Sequence, residues 1–195
     1  MKTSITKRGS DSQRSALTLV GVHTRRRLTP SAKALDEAIG GQLTRAMNGS
    51  AFEGEPGQTL MLHAPDGGPA SRIALVGVGD RDALSGRKFQ KALAASMSAA
   101  DANKAPNVTS YLAEVSVTDR DGAWQLSETV QAAAAAAYRF DGCKSKDPVP
   151  SPLTRLKVSA PADCPPTVAQ AAVHRVYPGA CFRLGIRTNS KRPET

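Results

Sequence analysis

Apolar positions along this chain fall into two patterns, and their alternation predicts the elements. Residues 16–22 (ALTLVGV) and 72–78 (RIALVGV) are continuous β-branched and apolar runs, as expected of strands buried on both faces. Leu35, Ile39, Leu43 and Met47 instead recur every four residues, which places them on one helix face. Thr29-Pro30 is a good start for that helix, and Gly40-Gly41 interrupts and weakens it. Phe89, Leu93, Met97 and Ala100 share the face of a second helix, with Ser85 placed to cap it. A third opens at Asp121-Gly122, carries Trp124 and Val130, continues through the alanine run 132–137 and ends at Tyr138-Arg139-Phe140. Alanine is the strongest helix former, so the run reads as helix interior.

Between these lie shorter signals. Residues 48–58 read as a loop, 59–63 (TLMLH) as a strand and 65–69 (PDGGP) as a turn, so 59–78 is expected to form a hairpin. The stretch 108–117 contains a further strand, and 153–160 (LTRLKVSA) a final one after a proline-rich connection over 144–152. Residues 167–173 begin another helix pattern, and beyond His174 no period survives. The polar opening MKTSITKRGSDSQRS has no apolar core of a signal peptide, and residues 1–13 read as a flexible N-terminus. Alternating strands and helices predict an α/β layered domain over 14–160, with an irregular tail over 161–195.

Composition changes this picture little. Aromatics are only 4%, so the core must be built mostly from Ala, Leu, Val and Ile. No apolar run approaches the roughly 18 residues of a membrane span, so the default expectation is a cytoplasmic protein with no membrane partner. Cys143, Cys164 and Cys181 are odd in number and lack a CxxC, which predicts unpaired thiols rather than a disulfide framework or a zinc site. The net charge of +9 is concentrated late: after Phe140 there are nine Lys/Arg against four Asp/Glu. Such an excess attracts phosphate backbones, and it also arises where a tail never evolved within a fold.

Several segments, in order, resemble the N-terminal domain of the M17 leucyl aminopeptidases. They are Leu28-Thr29-Pro30-Ser31-Ala32 with Ala34-Leu35-Asp36, and Phe52-Glu53-Gly54-Glu55-Pro56-Gly57-Gln58-Thr59, similar to that family's F-x-G-x-x-G-x-T loop and strand. They continue through Arg72–Gly79 to Ala137-Tyr138-Arg139-Phe140-Asp141 followed by Lys144-Ser145-Lys146, with Cys143 standing where the family often has tyrosine. The resemblance covers about residues 17–157 and implies a macro-domain-like α/β sandwich, a mixed sheet with helices on both faces. In the family a connecting helix and a larger catalytic domain follow. There carboxylates and a lysine bind two divalent ions, Mn or Zn, which activate water and polarise the peptide carbonyl. Complete members are homo-hexamers that remove N-terminal residues such as leucine.

The chain has no counterpart of the family's G-K-G-x-x-x-D-x-G-G or N-T-D-A-E-G-R-L segments, so no catalytic or metal residue is carried over and no cofactor is expected in it. Its end, HRVYPGACFRLGIRTNSKRPET, reads as a truncated or frame-shifted linker. The expectation is a non-catalytic fragment, inactive alone.

The remaining motifs have structural readings. Gly77-Val78-Gly79 lacks the third glycine of a dinucleotide loop, since Asp82 stands there, and reads as a strand-end turn. Asp80/Asp82 and Asp119/Asp121 sit near predicted helix starts, where carboxylates cap, and His23, His63 and His174 are isolated. Arg25, Arg26 and Arg27 are the one functional candidate in the body. On a loop, they could touch DNA phosphates, as in bacterial family members that also bind DNA. That makes a DNA-binding or regulatory module the alternative function, with weak and non-specific binding. A macro-domain-like nucleotide binder is a third, resting on fold analogy alone.

Overall fold

The computed structural model describes residues 1–64, 68–137 and 151–161, together with Cys164, Pro165, Thr167, Val168 and Ala171. Residues 65–67 of the expected turn, the close of the third helix at 138–140, Cys143, most of the proline-rich connection, Cys181 and the tail from His174 lie outside the described residues.

The two continuous apolar runs form the centre of a seven-stranded sheet. Strand β1 is Lys2–Thr6, β2 is Ser15–His23, β3 is Arg27–Leu28, β4 is Thr59–His63, β5 is Ala70–Gly79, β6 is Asn107–Ser110 and β7 is Arg155–Ser159. Their order is β1-β7-β6-β2-β5-β4, with β3 paired to β2. All pairings along β1 to β5 are parallel, while β4 and β3 are antiparallel. The β4–β5 pair is the expected hairpin.

Strand periodicity then divides the core. Leu17, Leu19, Ala74, Val76 and Val78 face one side, where they meet Phe89, Leu93 and Met97 of α3 (Gly86–Ala102) and Leu126 and Val130 of α4 (Gly122–Ala137). Val20, Val22, Ile73 and Leu75 face the other, against Leu35 of α1 (Pro30–Ala38) and Leu43 and Met47 of α2 (Gln42–Asn48). Helices on both faces explain why β2 and β5 are apolar without alternation. The fold is thus the macro-domain-like mixed α/β sandwich expected.

Four local readings change. The helix expected over 35–47 is two helices, because Gly40 and Gly41 take φ of 69° and 77°, which no helix interior allows. Buried Asp36 restarts the chain: its carboxylate accepts from Leu43 N at 2.7 Å and from Thr44 Oγ1 at 2.5 Å. Thr29 makes no side-chain cap. The start of α1 is held instead by Glu114, which accepts from Ser31 N at 3.2 Å and Ser31 Oγ at 2.5 Å. A carboxylate there also meets the positive end of the helix dipole. Strand β6 stops at Ser110, and Leu112–Glu114 forms a 3-10 turn.

The fourth change concerns the opening residues. Lys2–Thr6 is not a flexible end but β1, an edge strand parallel to β7, with Thr3 buried and Ile5 packed on the core. An edge strand covered on one face needs few apolar residues, so its sequence reads as polar. Ser85 does cap α3, accepting from Lys88 N at 3.4 Å, and Asp121 accepts from Trp124 N at 2.9 Å at the start of α4.

Tyr111, buried beside this turn, donates its hydroxyl to Arg8 O at 3.0 Å. Burial raises its pKa far above the usual value of 10.0, and Asp11 and Glu114 raise it further. A raised folded value means stability that is complete below pH 10 and is lost as pH climbs above it. Urea midpoints measured from pH 8 to 11 should therefore fall at the alkaline end, and Tyr111→Phe should flatten that fall. An unchanged slope in the variant would contradict the assignment.

Candidate functional site

Parallel strands deliver their C-terminal ends to one edge of the sheet, and connections leaving neighbouring strands for opposite faces open a crevice there. The connection after β2 runs to α1 on one face, while those after β5 and β6 run to α3 and α4 on the other. Two clefts occupy this edge, of about 880 and 750 Å³. His23, Arg27 and Arg81 line both.

The glycines of the F-x-G-x-x-G-x-T segment shape the second cleft. Its backbone runs against the end of β5: Gly77 N donates to Gln58 O at 2.8 Å, Gly57 N to Gly77 O at 3.1 Å and Gly79 N to Gly54 O at 3.0 Å. Gly54 has φ 82°, and a Cβ on it would lie 2.2 Å from His23 O. A Cβ on Gly77 would meet Glu55 O at 2.1 Å. The Gln58 side chain closes the turn, accepting from Glu53 N and Glu55 N. Gly77-Val78-Gly79 is thereby a strand end laced to this loop, in keeping with the turn reading.

His23 completes the lacing. Its Nδ1 lies 3.0 Å from Gly79 O, and since a carbonyl only accepts, Nδ1 carries the proton. Nothing in the sequence singles this out, because the partners are 56 residues apart.

The three arginines separate in the structure. Arg25 and Arg26 have positive φ, 58° and 59°, a backbone state disfavoured for such side chains. Arg26 turns inward: Nε donates to Phe52 O at 3.0 Å, and Nη2 donates to Ser50 O at 3.4 Å and pairs with Glu53 at 2.6 Å. Its guanidinium is thus a clamp on the 50–53 loop. Arg25 and Arg27 are exposed on the cleft rims. Among the described residues no three His, Cys, Asp or Glu side chains converge.

The family model for the N-terminal domain of the cytosol aminopeptidase family matches residues 19–147. The chain belongs to this family. As such an N-terminal domain, it is 38% identical over 174 residues to a probable cytosol aminopeptidase of Alkalilimnicola ehrlichii, covering 89% of this chain and 35% of that protein. It therefore spans about a third of the length of the relatives it matches. Among solved structures, a mutant of tomato leucine aminopeptidase superposes with a TM-score of 0.69 at 18% identity, covering 90% of this chain and 35% of that one. The macro domain of ganglioside induced differentiation associated protein 2 superposes at 0.67 with 10% identity, covering 91% and 85%. These likenesses establish the fold. Among the described residues no helix is long and apolar enough to cross a membrane.

Proposed function

We propose that this chain acts as the non-catalytic N-terminal domain of a metal-dependent leucyl aminopeptidase, whose complete form removes N-terminal residues from peptides in the cytoplasm. One observation carries the reading: four ionisable groups at this edge, Asp36, Glu114, Arg26 and His23, are committed to holding backbone. Asp36 starts α2, Glu114 starts α1, Arg26 clamps a loop and His23 ties β2 to β5. Such groups build a rigid platform rather than a proton-transfer or metal centre, whose side chains must stay available to substrate. The expected result is no metal-responsive hydrolysis of leucine p-nitroanilide by the purified chain with Mn²⁺ or Zn²⁺. Turnover that follows this chain through purification and responds to metal would sink the proposal.

A second reading, DNA binding through the basic surface, would rest on the exposed Arg25 and Arg27 on one rim with Arg81 and Lys88. Glu55, Asp80 and Asp82 on the same rim oppose it, so binding is expected to be weak and non-specific. Each phosphate contact removed should lower the salt-dependence slope by roughly 0.9. Arg25→Ala and Arg27→Ala should each do so, whereas Arg26→Ala should leave the slope unchanged. Equal effects of all three in a salt titration would show that Arg26 is not held as the structure has it.

A further inference from the structure

The opposite end of the sheet carries a second feature, independent of the reading above. There, at the N-terminal ends of β2, β5, β6 and β7, a cavity of about 350 Å³ is lined by Arg14, Arg155, Lys157, Asn107 and Thr109, with Ser15, Ala16, Ser71 and Val108 completing its wall. Register explains the grouping. Asn107 pairs with Arg155 and Thr109 with Lys157, so these four side chains share one face, while Val108, Leu156 and Val158 turn to the apolar core. Helices α1 and α2 cover only the β2–β5 half of that face, so the other half stays polar.

We propose that this cavity binds a phosphate dianion, free or as the monoester of a small molecule. Three observations support the assignment. The lining holds three cationic side chains and, among the described residues, no carboxylate. Arg14 and Arg155 are exposed and Lys157 is half-buried, so an anion entering from solvent reaches all three. Finally, Lys157 titrates below the ordinary lysine value, first through burial and then through Arg155 and Arg8 beside it. Among the described residues these cations crowd one another with no carboxylate in the lining, a cost that a bound dianion removes. It is present at neutral pH and is relieved as pH rises through the lowered value. The volume suits a small phosphorylated molecule.

The test is calorimetric titration of the full chain with inorganic phosphate and with glycerol 3-phosphate, alongside thermal melts in chloride at matched ionic strength. Phosphate should raise the melting temperature where chloride does not. Lys157→Gln and Arg155→Gln should each weaken phosphate by about tenfold, the loss of one charge-assisted hydrogen bond. Both charge variants should leave the unliganded melting temperature unchanged or higher, since each relieves the crowding of cations, which separates ligand binding from folding. Tighter binding of glycerol 3-phosphate identifies an ester as the ligand, and the reverse order the free anion. Equal stabilisation by chloride, or phosphate affinity unaltered in both charge variants, would overturn the proposal. So would an oligonucleotide that binds through these residues when neither small phosphate does.

Discussion

Gly54→Ala is expected to destabilise the chain by roughly 2–6 kcal/mol, combining about 1–3 for a non-glycine residue at positive φ with about 1–3 for overpacking. The argument is geometric. Gly54 has φ 82°, and the added methyl would stand 2.2 Å from His23 O and 2.7 Å from His23 C, both backbone atoms that no rotamer change can move aside. Relief requires moving residues 54–58 away from His23 at the end of β2, which disturbs the Gly79–Gly54 bond and the two between Gly57, Gln58 and Gly77. Gly49→Ala is the control. It has φ −86° and its nearest atom lies 3.7 Å from the added methyl, so a change within about 0.5 kcal/mol is expected there. Urea denaturation of both variants checks the contrast, and a Gly54→Ala loss below about 1 kcal/mol would show that the loop is not seated as described.

Phe89→Ala should cost a similar amount, roughly 3–5 kcal/mol, through a different mechanism: lost transfer free energy plus a cavity. Phe89 is fully buried on α3 and meets Trp124 of α4 with ring centroids 6.0 Å apart. Trp124 is covered in turn by the Arg120 guanidinium, 5.2 Å from the ring. With so few aromatics in the chain, this pair is a major link between the two helices on its face. Phe89→Leu, which keeps most of the volume, should cost under about 1.5 kcal/mol. Trp124→Leu combined with Phe89→Ala should cost less than the two losses added, since they share one contact. Full additivity in melts of the double variant would mean that the rings are not coupled.

Much of this fold was legible in the sequence because its signals are local. The runs at 16–22 and 72–78, the four-residue repeats of α1–α2 and α3, and the caps at Ser85 and Asp121 each depend on residues within a few positions of one another. Gly54 and Gly57 could be recognised as a motif, but the purpose of Gly54 could not, because the backbone atoms that exclude a side chain there belong to the distant His23. The same separation hid the role of Glu114, 83 residues from the Ser31 it holds, and the inward turn of Arg26 among three identical neighbours. Arg14, Thr109, Arg155 and Lys157 lie on three segments with no shared motif, and parallel pairing alone brings them to one cavity. Strand β1 shows the principle most plainly. Composition determined that Lys2–Thr6 was polar, and only its place beside β7 decided that it was a strand, since an edge position with one covered face is a property of the sheet and not of five residues.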